Sequence, residues 1–245
     1  VGFGMFNEVL WFAFMFVDLS IALVAFRLWG KVGLYAVIVC SVIVCNIQVL
    51  ETVKIFRMVA TLGNILYASI FFATDVLSEV YGKREARQGV WLGFFGLISV
   101  TIAMQFAIRF VPDQSDTIHP HLHAIFSLMP RIAFASFTAY LISQHHDIWA
   151  FHFWKRVTAG RHLWLRNNAS TMVSQLIDTT VFTFLAFFGR FSMDVFWQIF
   201  ITTYFFKWII ALIDTPFIYA ARRMARAQGG RIDALVAFDG LQASE

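Results

Sequence analysis

The chain has 245 residues, of which 59% are hydrophobic and 14% charged, with 29 Phe, a mean hydropathy of +0.70 and a net charge of +4. Soluble domains average about 45–50% apolar and about 25% charged residues, so an ordinary soluble fold is excluded. The positive balance does not make a nucleic-acid binder, because the basic residues are distributed by connection rather than along one solvated face.

Repeated apolar runs of membrane-spanning length instead define an all-α polytopic membrane protein. The alternation that a transmembrane barrel needs is absent, and the opening residues carry no cleavable-signal pattern. Seven transmembrane helices are predicted, over residues 6–26, 33–50, 62–81, 90–111, 125–149, 169–188 and 195–221. Basic residues concentrate after runs one, three and five and in the tail, among them Arg27, Lys31, Lys83, Arg84, Arg87, Lys155, Arg156, Arg222 and Arg223. The opposite side carries Lys54, Arg57, Arg109, Arg131 and Arg190. The positive-inside rule then puts the N-terminus outside and the C-terminus in the cytoplasm. A six-span alternative leaves run one or run two at the interface.

Run one carries Glu8 near its outer end and Asp18 deep within; Asp18 needs a partner that the sequence does not name. Run two places Ser41, Cys45 and Gln48 on one face with Asn46 beside it, a pattern typical of helix–helix contacts. Cys40 and Cys45 form neither a disulfide nor a zinc pattern and read as two packed membrane cysteines. Glu51, Lys54 and Arg57 follow at i, i+3 and i+6 and predict a short amphipathic outer segment.

In run three, Asn64, Ala68, Phe71, Asp75 and Ser78 form a stripe, with Glu79 four residues past Asp75. Gly82 reads as a helix stop before Lys83, Arg84 and Arg87. Asp75 and Glu79 either face a ligand or pair with this basic cluster or with Arg131. Run four, with Gly93 and Gly96 for close helix approach, reads mainly as scaffold. The outer loop holds Asp113, Asp116, His119, His121 and His123. Alternate histidines on an extended strand could bind metal, but a solvated loop is the better reading.

Run five puts Ser136, Tyr140, Ser143 and Asp147 on one face with Gln144 adjacent, then runs through His145, His146 and Trp149 into an interfacial belt. It has no metal-ligand spacing, and no cofactor is expected. In run six, Asn168, Thr171, Gln175 and Asp178 share a face, with Asp178 near mid-span. A charge at that depth costs at least about 2.5–3.5 kcal/mol if it faces lipid, so the stripe must face protein or a watery cavity. Run seven answers with Lys207 at similar depth, Asp214 one heptad on and a helix-perturbing Pro216. An Asp178–Lys207 pair follows, either a structural ion pair or part of a site. Asp75, Asp178 and Asp214 cannot all be neutralised by Lys207, and this surplus points to a cationic or donor-rich ligand, or to protons. The polar tail after Arg222 is expected to be mobile.

The stretches ATLGNILYASIFFATDVLSEVYGKREAR, PRIAFASFTAYLISQHHD and LWLRNNASTMVSQLIDTTVFTFLAFFG, followed by the lysine and DTP of the last span, resemble the queuosine precursor transporter family, also called the vitamin uptake transporter family. The likeness covers residues from about 33 to 224. It implies import of 7-deazaguanine bases across the cytoplasmic membrane, by a six-helix core related in fold to the substrate-binding subunits of energy-coupling-factor transporters. The chain then divides into an extra N-terminal helix with its loop (1–32), the transporter core (33–224) and a polar cytoplasmic tail (225–245). Positions on family motifs are Asn64, Asp75, Glu79, Arg131, Ser136, Gln144, Gln175, Asp178, Lys207 and Asp214. Of these, Asn64, Asp75, Glu79, Gln175, Asp178, Lys207 and Asp214 are the substrate-binding candidates.

The chemistry is consistent. A guanine-like edge offers adjacent N–H donors to a carboxylate and a carbonyl to Lys, Asn or Gln. Phe71, Tyr140, Phe182 or Tyr204 can stack on the flat ring. The expected partners are a small purine-like base and the lipid bilayer, with no nucleic acid; a homo-oligomer or an energy-coupling partner is left open. An enzyme is disfavoured because Ser136 and Ser174 have no evident His partner within the spans. The alternative is a substrate-capturing subunit. It would depend on another chain for ATP, since no phosphate-binding Gly-rich Lys motif is present.

Overall fold

The structure is a computed structural model that describes residues 3–157 and 163–242, with side chains described for 6–78, 80–143, 145–146, 153, 172–210, 213 and 216–225. The elements in order are α1 (Phe3–Gln48), β1 (Thr52–Ile55), β2 (Met58–Thr61), a 3-10 turn (Leu62–Asn64), α2 (Tyr67–Val76), a π-helical turn (Leu77–Tyr81), α3 (Lys83–Ala107), α4 (His119–Phe126), α5 (Met129–Val157), α6 (Leu163–Phe187) and α7 (Met193–Gln242). Among the described residues, Phe6–Gln48, Lys83–Ala107 and His119–Ser143 are long and apolar enough to cross a membrane, and Leu62–Val76 and Met172–Phe187 are shorter apolar helices.

α1 carries the first two apolar runs. Its 46 residues would reach about 69 Å if straight, twice the hydrocarbon thickness of about 30 Å. The helix breaks at Gly30, whose φ of 57° and ψ of −132° suit a residue without Cβ. The first half of α1 is no detached anchor. Trp11, Met15, Leu19 and Phe26 share one core cluster with Phe72 of α2 and Phe206 of α7, and the Trp11 and Phe206 rings lie 4.9 Å apart. A second cluster joins Ala135 and Ala139 of α5 to Phe182 and Phe187 of α6 and Phe196 of α7. α3 lies close on the second half of α1, because a Cβ at Gly93 would sit 3.1 Å from Ile38 and Val42.

The segment after α1, expected to be a short amphipathic stretch with helical charge spacing, is a β-hairpin. Thr52 pairs with Thr61 and Ile55 with Met58, around a two-residue turn in which Phe56 and Arg57 both have positive φ (49° and 67°). That is the turn geometry favoured by the right-handed strand twist. The β-branched, alternating TVKI and MVAT segments outweigh the i, i+3, i+6 charge spacing. Neighbouring helices hold the hairpin. Asn7 donates to the Lys54 carbonyl (3.0 Å), and the Phe56 N–H donates to Glu8 Oε1 (2.7 Å). On the other strand, the Val59 N–H donates to Gln198 Oε1 (2.9 Å) and Thr202 Oγ1 donates to the Val59 carbonyl (3.1 Å).

Two further expectations are corrected. The HPHLH segment is the start of helix α4, so its histidines do not alternate along a strand. Asp116 accepts the N–H groups of His119 (3.0 Å) and Ile118 (2.6 Å), and these two bonds hold its carboxyl below the usual range. Of the two cysteines only Cys45 is buried, while Cys40 is exposed on the apolar surface. The backbone is helical to Gln242, with Pro216 inside the helix. Gly82 has a φ of 95° and separates the π-turn from α3, as the helix-stop reading requires.

Candidate functional site

Helices α1, α2, α3, α5 and α6 enclose a cavity of about 650 Å³, within the usual range of about 300–1,000 Å³ for small-molecule sites. It extends from Cys45 and Asn46 of α1 and Asp178 of α6 to Lys83 and Arg87 at the start of α3.

The polar centre of this cavity is Asp178. Lys207 of α7 donates through Nζ to its Oδ2, forming the expected ion pair. Ser143 Oγ of α5 lies 3.4 Å from Oδ1. The Lys207 side chain is 3% exposed and that of Asp178 20%. The carboxylate therefore faces the cavity and the ammonium stands behind it. Lys207 also lies 5.1 Å from the centre of the Tyr67 ring, a cation–π contact that helps satisfy a buried ammonium.

Asp75 of α2 and Gln175 of α6 line the same cavity. Gln175 Oε1 is buried without a hydrogen-bond partner among the described residues. Asp75 is exposed and has no hydrogen bond or ion pair to a described residue. Of the stacking candidates, Phe71, Tyr140 and Phe182 line the cavity. Phe71 is stacked on Tyr67 (5.9 Å, 28°), and Tyr140 lies 5.1 Å from Phe94. Tyr204 lies elsewhere, its hydroxyl 3.5 Å from the Met172 carbonyl.

Asn64 is also outside the cavity. Its Nδ2 donates to the Thr61 carbonyl (3.1 Å) and lies 3.3 Å from Thr203 Oγ1, which ties the turn before α2 to α7. Arg131 pairs with no acid among the described residues; its Nε and Nη2 donate to the carbonyls of Leu185 (2.7 Å) and Phe188 (2.8 Å) at the end of α6. The side chains of Glu79, Gln144, Asp147, Asn168, Thr171 and Asp214 lie outside the described residues.

Several lining residues are absent from the sequence-derived set. Asn46 accepts the Ser136 hydroxyl through Oδ1 at 2.6 Å, joining α1 to α5 on the cavity wall. A mid-span Asn was the available signal. α3 is more than scaffold, because Lys83, Arg87, Val90 and Phe94 line one side. Ser174 does have a histidine neighbour: its Oγ lies 3.2 Å from His146 Nδ1. Neither residue lines the cavity.

Residues 61–221 match the family model described as "Putative vitamin uptake transporter". The chain is 44% identical over 221 residues to the "Probable queuosine precursor transporter" of Bacillus subtilis (strain 168), covering 90% of this chain and 96% of that protein. It is 30% identical over 173 residues to the "Queuosine precursor transporter" of Escherichia coli (strain K12), covering 69% of this chain and 75% of that one. No solved structure matches it significantly. A family match over most of the chain and a close relative of nearly equal length leave one conclusion: this chain belongs to the vitamin uptake transporter family and is a multi-pass membrane transport protein rather than an enzyme, in bacteria one of the inner membrane.

Proposed function

We propose that this chain imports queuosine precursors, 7-deazaguanine bases such as preQ0 and preQ1, for tRNA modification. The observation that carries this reading is a carboxylate facing an aromatic-walled cavity with its counter-ion behind it. Asp178 has an accessible edge for the paired N–H donors of a guanine-like ring, while Lys207 pairs with the carboxylate from behind. Gln175 supplies a nearby amide for the ring carbonyl, and Phe71, Tyr140 and Phe182 supply faces for stacking.

In this reading the N-terminus is outside, the C-terminus is cytoplasmic, and seven spans cross the membrane. In the same reading residues 1–32 precede a six-helix core over 33–224 and a tail over 225–245, with the kink at Gly30 near the first boundary. The names of the two relatives supply the substrate class.

The test is the queuosine content of tRNA in cells that cannot synthesise the precursor, at limiting external base, with and without this gene. Restoration that depends on the chain is expected. No restoration by a protein demonstrably in the membrane removes autonomous import of these bases. Uptake by the purified chain in liposomes separates a self-sufficient carrier from a capturing subunit that needs an energy-coupling partner.

A further inference from the structure

The cavity holds two carboxylates in different electrostatic states. Asp178 is matched by Lys207, so that pair is neutral as a unit. Asp75 is exposed at the cavity wall and lies within ion-pairing distance of no described lysine or arginine. Lys83 and Arg87 line the same cavity without making an ion pair to Asp75, so its carboxylate is open to a cation that enters beside it.

The two are also set apart along the cavity. Lys207, which holds Asp178, sits against the Tyr67 ring at the start of α2. Asp75 is eight residues further along the same helix, about 12 Å at 1.5 Å per residue. A fused two-ring base with a one-carbon arm, plus a hydrogen bond of about 2.8 Å at each end, has a length of the same order as that rise along the helix axis. The backbone changes to a π-helical turn directly after α2, at Leu77–Tyr81. Such turns re-aim the residues beside them and frequently mark functional sites.

We infer that Asp75 is a specificity residue that accepts the ammonium of a cationic arm on the base, so that the transporter prefers an aminomethyl-substituted 7-deazaguanine over its neutral cyano counterpart. This rests on the base-import reading and deepens it. Asp178 and Gln175 handle the ring edge common to both bases, and Asp75 handles only the substituent that differs. Phe71 lies one turn before Asp75 on the same helix and also lines the cavity, so ring stacking and arm recognition come from one element.

The test is competition between labelled aminomethyl and cyano bases for uptake by cells that make neither, carrying the intact chain or the Asp75→Asn or Asp75→Glu variant. The intact chain should favour the aminomethyl base by about tenfold or more, the scale of a charge-assisted hydrogen bond. Asp75→Asn should bring the ratio to about one, and Asp75→Glu should keep a preference in the same direction. Equal uptake of both bases by the intact chain overturns the assignment, whatever the variants do. So does an Asp75→Asn protein that keeps the wild-type ratio while both rates fall. Uptake of neither base by the intact chain overturns the base-import reading itself, and this inference with it.

Discussion

The Asp18 carboxylate, on the first half of α1, accepts the backbone N–H of Ser69 in the first turn of α2 at 3.1 Å. That N–H is one of the donors a helix start leaves without an internal partner, and α2 has no side-chain cap of its own. The Ser69 hydroxyl in turn lies 2.9 Å from that of Ser41, on the second half of α1. Both halves of α1 therefore fix the start of the helix that brings Tyr67, Phe71 and Asp75 to the cavity.

Asp18→Ala leaves a buried N–H unpaired, at a cost of about 1–3 kcal/mol. It is expected to lower the melting temperature of the purified protein and to reduce transport. Asp18→Asn keeps an acceptor oxygen and should retain most of both. Equal damage from the two variants would show that the charge of Asp18, rather than the cap, is what matters.

Arg131 performs the corresponding task at the far end of α6. Its guanidinium spans the carbonyls of Leu185 and Phe188, groups that the helix end cannot satisfy internally. A lysine cannot reproduce that fork. Arg131→Lys keeps the positive charge but loses the forked pair of hydrogen bonds, and should cost about 0.5–1.5 kcal/mol of stability with substrate selectivity intact. Thermal melts with and without saturating base distinguish this from a binding defect, because the ligand-induced shift should be preserved.

The ion pair was legible in the sequence because mid-span charges are few and must be neutralised. Asp178 and Lys207 stood at similar depth in adjacent runs, and the structure joins them. Asp75 and Gln175 were legible as members of polar stripes on otherwise apolar helices. The rest turned on partners distant in sequence. Asn64 belongs to the same stripe as Asp75, yet a 3-10 turn and a fresh helix start intervene, so the 3.6-residue period does not carry through. Asn64 is consumed by Thr61 and Thr203. Arg87 looked like part of an interfacial cluster, and only the placement of α3 on α1 turns it into a cavity wall.

The hairpin gives a test of a different kind. Gln198 of α7 accepts the Val59 N–H on the outer edge of the two-stranded sheet, and a lone hairpin is at best marginally stable in water. Gln198→Ala removes that acceptor at a net cost of about 0.5–1.5 kcal/mol. The loosened hairpin should become more sensitive to trypsin at Lys54 and Arg57 in the purified protein. Gln198→Glu retains an acceptor and should protect like the native residue. Unchanged cleavage in the alanine variant would mean that the contacts from Asn7 and Glu8 suffice to hold the hairpin.

The pair Lys207–Asp178 makes the sharpest prediction, because stability and transport should separate. Lys207→Met leaves the cavity-facing Asp178 carboxylate without its counter-ion; breaking a fully buried pair from one side typically costs about 3–5 kcal/mol, and the exposed edge of Asp178 should hold the loss below that range. Adding Asp178→Asn removes the stranded charge, so the double variant should recover much of the lost stability in thermal melts. It should not recover uptake, since the amide presents one acceptor and a competing donor where the base needs two acceptors. A double variant that is stable and transports normally would reduce the pair to a packing device and move ring recognition elsewhere in the cavity. A stable double variant without uptake would make the charged pair, and not merely the fold it supports, the requirement for transport.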